Sequence, residues 1–373
     1  MGHRDQSNPG SARNTPRAPA APRPHPGPPA PPEPESLAPA VERWFAAAAR
    51  DLPWRTHPRD PYRSLVSELM LQQTQVARVI DRFDAFVARF PTARALAAAD
   101  EQEVLAEWSG LGYYRRARLL HACARAIVAD HAGRVPTTAA ELRSLPGIGA
   151  YTAGALASIV FGKPEPAVDG NVIRVLLRLH GSELAQDAPA TRTWATDHAR
   201  ALAEAADDPG AVAEGLMELG ATVCTPGAPK CDACPLRASC VARREGTTTT
   251  IPAPKTRAKV SALFCDSILD EDTRGRLLVE RRPTAGMWGG LWQAPTLEQP
   301  DRAPTAADVR AFARARSVER VESFEHKTSH RLVRFRVWHA TGARAGSLRV
   351  RRSRAQIAEL GLSNPQRRIL LGP

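Results

Sequence analysis

Apolar residues recur three and four positions apart from Val41 to about Ala221, with few alternating runs, which predicts a helical domain. Leu65, Leu69, Val76, Ile80 and Phe83 form one such stripe. Thr138 followed by Glu141 has the spacing of a capping box and opens a helix ending near Leu145. After Lys259 the pattern changes. Ala262–Leu269, Arg276–Glu280 and Leu332–Ala340 are short and favour strands. Residues 246–259, rich in Thr, Pro and Lys, read as a linker, and residues 1–40 hold 12 of the 33 prolines with no hydrophobic period. The expected division is a Pro/Ala-rich tail (1–40), a helical domain (41–245), a linker (246–259) and a smaller α+β domain (260–373).

Composition and charge narrow the class. With 43% hydrophobic residues in 373, the chain can bury real cores, which excludes wholesale disorder. The longest uncharged stretch, Ser144–Gly162, is broken by Pro146, Gly147, Gly149 and Gly154, so it predicts a turn and a short helix, not a membrane span. No apolar signal-peptide core is present near Met1, and the expected location is cytoplasmic, at the nucleoid. The net charge is +12, and His326–Arg354 carries nine Lys or Arg and no carboxylate. Such a field attracts a polyanion, usually nucleic acid; a solvated basic face is the competing reading.

Four of the six cysteines fall in a C-x6-C-x2-C-x5-C pattern: Cys224, Cys231, Cys234 and Cys240. Four thiolates this close suit one metal centre, either a [4Fe–4S] cluster or a zinc ion. Two disulfides are disfavoured in a large chain without an export signal. Zinc sites more often show two C-x2-C pairs, so the spacing leans toward the cluster while leaving both open. Cys123 and Cys265 read as packed small side chains.

Leu145–Thr152 lies between two helical patterns, and Gly147 and Gly149 would let a turn present backbone N–H groups at a helix start, an anion site. An ordinary helix–helix turn is the plainer alternative. Asp169, just before the apolar helix Val172–Leu179, is placed as an N-cap and should stay ionised. Glu68 lies in the helical run Ser64–Gln75 between apolar neighbours, where burial would hold its proton. One protonated and one ionised carboxyl is what glycosidic cleavage needs. Spacing alone does not bring the two together.

Taken together, these segments resemble the MutY-type adenine DNA glycosylases of the helix-hairpin-helix superfamily. The matching pieces are Leu52–Arg55, Ser67–Val76, Gly110–Tyr114, Leu145–Thr152, Val168–Arg174 and Glu218–Gly220 leading into the cysteine loop, and the resemblance covers roughly residues 40–370. It implies a mainly α helix-hairpin-helix glycosylase domain whose cysteine loop (224–240) holds a [4Fe–4S] cluster, followed by a MutT-like α+β domain. Glu68 would protonate the departing adenine and help activate water, Asp169 would stabilise charge on the sugar, and Asn171 would help hold water and carboxylate. Tyr151 stands where lyase-competent relatives carry a Lys, and a phenol cannot form the imine. Arg55 and Glu214 would line the pocket for the flipped base. Gln73 and Tyr113 would enter the stack, with Thr74 beside them in contact with DNA.

The C-terminal pieces Arg282-Pro283, Gly286–Gln293 and Thr328-Ser329-His330 resemble the family's reader of 8-oxoguanine, with Ser329 on the oxidised purine edge and His330 on the adjacent groove. Thr328 replaces a frequent Phe. The implied partner is double-stranded DNA with A opposite 8-oxoguanine or guanine, met by a monomer without membrane association. Tyr151 and the added domain argue against a bifunctional endonuclease III-like enzyme. Glu68 and Asp169 argue against a non-catalytic iron–sulfur DNA binder, and the lack of an acidic Glu-rich helix argues against a nucleotide pyrophosphatase.

Overall fold

A computed structural model describes residues 2, 33–253, 261–300, 302–328, 331–343 and 348–372. The helical part runs α1 (Pro34–Ala48), α2 (Pro61–Leu71), α3 (Val76–Arg89), α4 (Ala93–Ala98), α5 (Glu101–Glu107), α6 (Arg115–Asp130), α7 (Ala139–Ser144) and α8 (Ala150–Ile159). It continues with α9 (Gly170–His180), α10 (Pro189–Glu204), α11 (Pro209–Thr222) and α12 (Val241–Arg244). Proline opens α1, α2, α10 and α11, where a missing N–H costs no hydrogen bond. Two apolar cores result. One packs α2 to α8 around Trp108, Phe83 and Phe86; the other packs α1 and α9 to α12 around Leu176, Leu219 and Val41. The candidate site opens between them.

Three expectations are corrected here. The tail ends earlier than residue 40, because α1 starts at Pro34 and buries Leu37 and Ala38 in the second core. The run Ser64–Gln75 is not one helix: α2 ends at Leu71, and Gln73 adopts a left-handed φ of 57° before α3 begins. The stripe is therefore split between two helices, and Ile80, on the outer side of α3, stays 39% exposed. Residues 246–253 of the presumed linker are also not free. Ile251 is buried in the second core and its carbonyl accepts from Arg178 Nε at 2.8 Å. At α7 the cap is present in altered form: the Thr138 hydroxyl accepts from the Glu141 N–H and donates to Glu141 Oε2 at 2.6 Å.

The C-terminal part contains β1 (Ser261–Leu269), β2 (Leu277–Arg281), β3 (Trp292–Gln293), β4 (Thr296–Pro300), α13 (Ala306–Ala313), β5 (Ser317–Lys327), β6 (Arg331–Thr341), β7 (Arg349–Arg352), α14 (Arg354–Ala358) and α15 (Asn364–Leu371). One sheet has the order β4-β1-β6-β5, with β1 and β6 parallel; the other is β3-β2-β7. Leu263, Val279, Phe335 and Ile357 lie in the core shared by the two sheets. The two parts are joined by packing and by polar contacts. Leu291 sits in the first helical core, Tyr114 Oη donates to Leu362 O at 2.5 Å, and Arg118 Nη2 donates to Gly289 O at 2.6 Å.

Of the nine cations in the basic run His326–Arg354, five are ion-paired, which weakens the polyanion-attracting field expected of it. Arg334 pairs with Glu325, Arg336 with Asp266, Arg349 with Glu280, Arg351 with Asp270 and Arg354 with Glu271. The carboxylates come mainly from β1, β2 and β5, outside the run. Strand pairing brings charges together that are distant in sequence, so a local charge count overstated the field.

Candidate active site

A cavity of about 560 Å³ lies between the two helical cores. Glu68 of α2, Tyr151 of α8, Asp169 and Asn171 at the start of α9, and Glu214 and Met217 of α11 all line it. The two carboxyls, 101 positions apart in sequence, thus share one chamber. Folding has done this by setting α2 and α8 on one wall and the α9 start on the other.

Their surroundings differ. Glu68 Oε2 is buried and has no hydrogen-bond partner. Burial raises the Glu68 pKa to about 7; the Tyr151 hydroxyl pulls it down, and the nearby negative charges of Glu214 and Asp169 push it up. Asp169 caps α9: Oδ1 accepts from the Asn171 and Val172 N–H groups at 2.8 Å each, and Oδ2 from Asn171 Nδ2 at 2.9 Å. Burial still moves the Asp169 pKa upward, so the cap does not hold it in the ordinary range as expected. Three donors and the Arg174 charge oppose that shift by favouring the carboxylate. Tyr151 Oη donates to Met217 Sδ at 3.1 Å, and burial raises its pKa well above the usual phenol range. It remains a neutral phenol.

Arg55 and Glu214 line the cavity but are bonded to each other at 2.9 Å. The remaining Arg55 nitrogens donate to Glu218 Oε2 at 3.0 Å and Arg50 O at 2.9 Å, and Arg59 also binds Glu214. Arg50 completes the set on Glu218. An entering base would meet an ion-paired lattice of charges, not a free guanidinium.

Gln73 (φ 57°), which also lines the chamber, and Tyr113 (φ 48°), which does not, stand on two adjacent turns. Sequence reasoning missed what holds them. Arg116 of α6 donates to the Leu69, Met70, Leu111 and Gly112 carbonyls and to Thr74 Oγ1 at 2.8 Å, lashing the two turns together. Its guanidinium lies 5.3 Å from the Tyr113 ring centroid. Arg174 and Arg178 were missed as buried links. Arg174 donates to Asn171 Oδ1 at 2.8 Å and Cys224 O at 2.8 Å; Arg178 donates to Thr225 O at 2.8 Å and Cys224 Sγ at 3.4 Å. Two arginines four apart in the apolar helix Val172–Leu179 were the available signal.

In the hairpin, Gly147 has φ 80°, and a Cβ there would meet Leu119 Cβ at 2.7 Å. Gly149 is different: nothing lies within 4 Å of a Cβ, and α8 starts there without a side-chain cap. Cys224, Cys231, Cys234 and Cys240 are free thiols around a small cavity of about 20 Å³, with Arg178, Arg237 and Arg243 beside them. Among the described residues, no three His, Cys, Asp or Glu side chains are gathered closely enough to hold a metal ion. Ser329 and His330 lie outside the described residues.

Comparison with known proteins places these features in context. Residues 66–195 match the HhH-GPD superfamily base excision DNA repair proteins, and residues 268–372 match the NUDIX domain. The chain is 40% identical over 240 residues to the adenine DNA glycosylase of Mycobacterium tuberculosis, covering 63% of this chain and 75% of that one. It is 44% identical over 223 residues to the rat adenine DNA glycosylase, covering 56% of this chain but only 42% of the relative. The chain therefore spans about two fifths of the length of its mammalian relatives. A solved thermostable thymine-DNA glycosylase superposes with a TM-score of 0.50 at 28% identity, covering 57% of this chain and 97% of that one.

Proposed function

Because the chain belongs to the adenine DNA glycosylase family, we propose that it is a monofunctional adenine DNA glycosylase acting on duplex DNA in which adenine faces 8-oxoguanine or guanine. The observation that carries this reading is the unpartnered, buried Glu68 Oε2 in the same chamber as the triply bonded Asp169. The chamber is large enough for a nucleobase taken out of the helix.

The chemistry follows from the two environments. Glu68, protonated near neutral pH, donates its proton to the adenine as the bond from sugar to base breaks and the bonding electrons leave with the base. Asp169, held by α9 and Asn171, faces the oxocarbenium-like sugar as an anion. Water then adds to the sugar, and the Glu68 carboxylate takes up the proton it loses. Tyr151 offers no amine, so no imine forms and the strand is not cut by that route. Gly149, with open space and uncapped amides, suits the approach of a DNA phosphate to α8.

The cysteine loop fits a [4Fe–4S] cluster: four free thiols line one small cavity beside arginines, a donor set that suits such a group. Cys224, Cys231, Cys234 and Cys240 would hold the cluster, which when bound would cross-link the loop after α11 to the start of α12. Arg174 and Arg178 tie that loop to the helix capped by Asp169.

The test uses duplexes with A opposite 8-oxoguanine, A opposite guanine, and thymine glycol opposite A, analysed with and without alkali. Strand breaks at adenine only after alkali support the proposal. Cleavage at thymine glycol without alkali would replace it with the bifunctional reading.

A further inference from the structure

Three residues that rarely adopt a left-handed backbone converge at one place. Gln73, Tyr113 and Trp288 have φ of 57°, 48° and 56°, and among the described residues only Ala132 and Arg314 join them as non-glycine residues of positive φ. All three line both of two neighbouring cavities, of about 330 and 670 Å³. Strained backbone of this kind persists where the surroundings enforce it, and it gathers at functional sites. Gln73 and Tyr113 come from the helical domain; Trp288 comes from the turn between β2 and β3 of the C-terminal domain.

Trp288 is held from several sides. It packs against both the first helical core and the sheet core, its ring is 5.9 Å from Phe335 and 5.9 Å from His326, and Arg282 lies 6.0 Å from it. It is still only half-buried, and the smaller cavity sets it beside Tyr113, His326, Lys327 and Arg78. An aromatic face with two cations nearby has the chemistry for one nucleotide: a flat base on the ring and a phosphate on the charges.

We propose that Trp288 is a specificity-determining residue that contacts the purine left opposite the excised adenine, acting with Gln73 and Tyr113 across the domain boundary. This rests on the adenine glycosylase reading above. The C-terminal domain then reads the opposite base through an aromatic surface on its β2–β3 turn.

The test compares single-turnover adenine release by the full-length protein, Trp288→Leu and Trp288→Phe on duplexes with A opposite 8-oxoguanine and A opposite guanine. Thermal unfolding of each variant is followed in parallel. Trp288→Leu should lose about tenfold of the wild-type preference for 8-oxoguanine, and Trp288→Phe, which keeps a flat ring, should stay within about threefold of it. An unchanged rate ratio in folded Trp288→Leu, even with both rates lowered together, would overturn the proposal. A second measurement needs no variant. Wild-type protein is irradiated on a duplex carrying 6-thioguanine opposite an uncleavable adenine analogue, and a cross-link on the peptide bearing Trp288 is expected. Cross-links confined to other peptides would also overturn it. Failure of the underlying reading looks different: the wild-type protein would release adenine from neither duplex.

Discussion

Buried carboxyls occur in both halves of the molecule, and Glu68 of the helical half is arranged unlike Asp266 and Asp270 of the C-terminal half. In the C-terminal domain, Asp266 is fully buried and receives Arg336 and the Trp338 indole N–H; Asp270, 2% exposed, receives Arg351 and the Ala343 N–H. In the helical cleft, Glu68 is buried over most of its surface, yet its sealed Oε2 has no partner. An ion buried with its partners can be tolerated; one buried without them neutralises itself instead. The saturated pairs brace the strands: Asp266 joins β1 to its neighbour β6, and Asp270, just after β1, reaches β7 of the other sheet. The unsaturated carboxyl is the one that the proposed function makes the proton donor.

The comparison breaks most visibly at Glu68. Glu68→Gln should lower single-turnover adenine release by at least about a thousandfold while duplex binding and folding survive, because an amide of the same shape cannot donate the leaving-group proton. Rapid-quench assays and gel shifts would check this. Asp270→Asn should do the reverse. Removing one charge from a buried pair costs about 3–5 kcal/mol of stability, read as a lowered denaturation midpoint, with excision by the folded fraction largely kept.

A pH titration sharpens the contrast. The folded Glu68 pKa, about 7, lies above the unfolded value of 4.5, so the folded state binds the extra proton and stability falls as pH rises from 4.5 to about 7. The shift corresponds to about 3 kcal/mol at most. Glu68→Gln should abolish this slope, so its advantage in unfolding free energy over wild type should appear above pH 4.5 and level off near 7. A constant difference from pH 4 to pH 8 would mean Glu68 is not buried as described.

The smallest effects concern the hairpin. Gly149→Ala, with open space around its Cβ, should leave stability within about 0.5 kcal/mol yet weaken duplex affinity several-fold, by crowding the phosphate. Gly147→Ala meets Leu119 and an unfavourable φ, and should instead lower stability by about 1–2 kcal/mol. Equal losses of affinity with no change in stability would show that the two glycines do the same job.

Much of this was legible in the chain. Asp169 was readable as a cap because an acidic residue preceded an apolar helical run, and the strands β1, β2 and β6 were readable from short apolar segments. The turn at Gln73 was hidden, since Leu69 and Val76 continue the hydrophobic stripe across it and Arg116, over forty residues on, helps to hold the break. Strand β5 was hidden by its composition: it is mostly exposed and alternates charged residues with few apolar ones. The ion pairs within the basic run and the use of Arg55 within the Glu214–Glu218 lattice were both illegible for one reason. Ion pairs between distant segments exist only once the fold brings them together.

The claim that Glu68 is held as an uncharged acid can be tested without substrate. Carboxyl carbons of uniformly labelled protein are followed by NMR from pH 4 to pH 9, and the Glu68 resonance is assigned by its loss in Glu68→Gln. A midpoint near 7, far above the other glutamates, is the predicted result. A midpoint near the ordinary 4.5 would contradict the account, because Glu68 would then be ionised at neutral pH and have no proton to give the adenine.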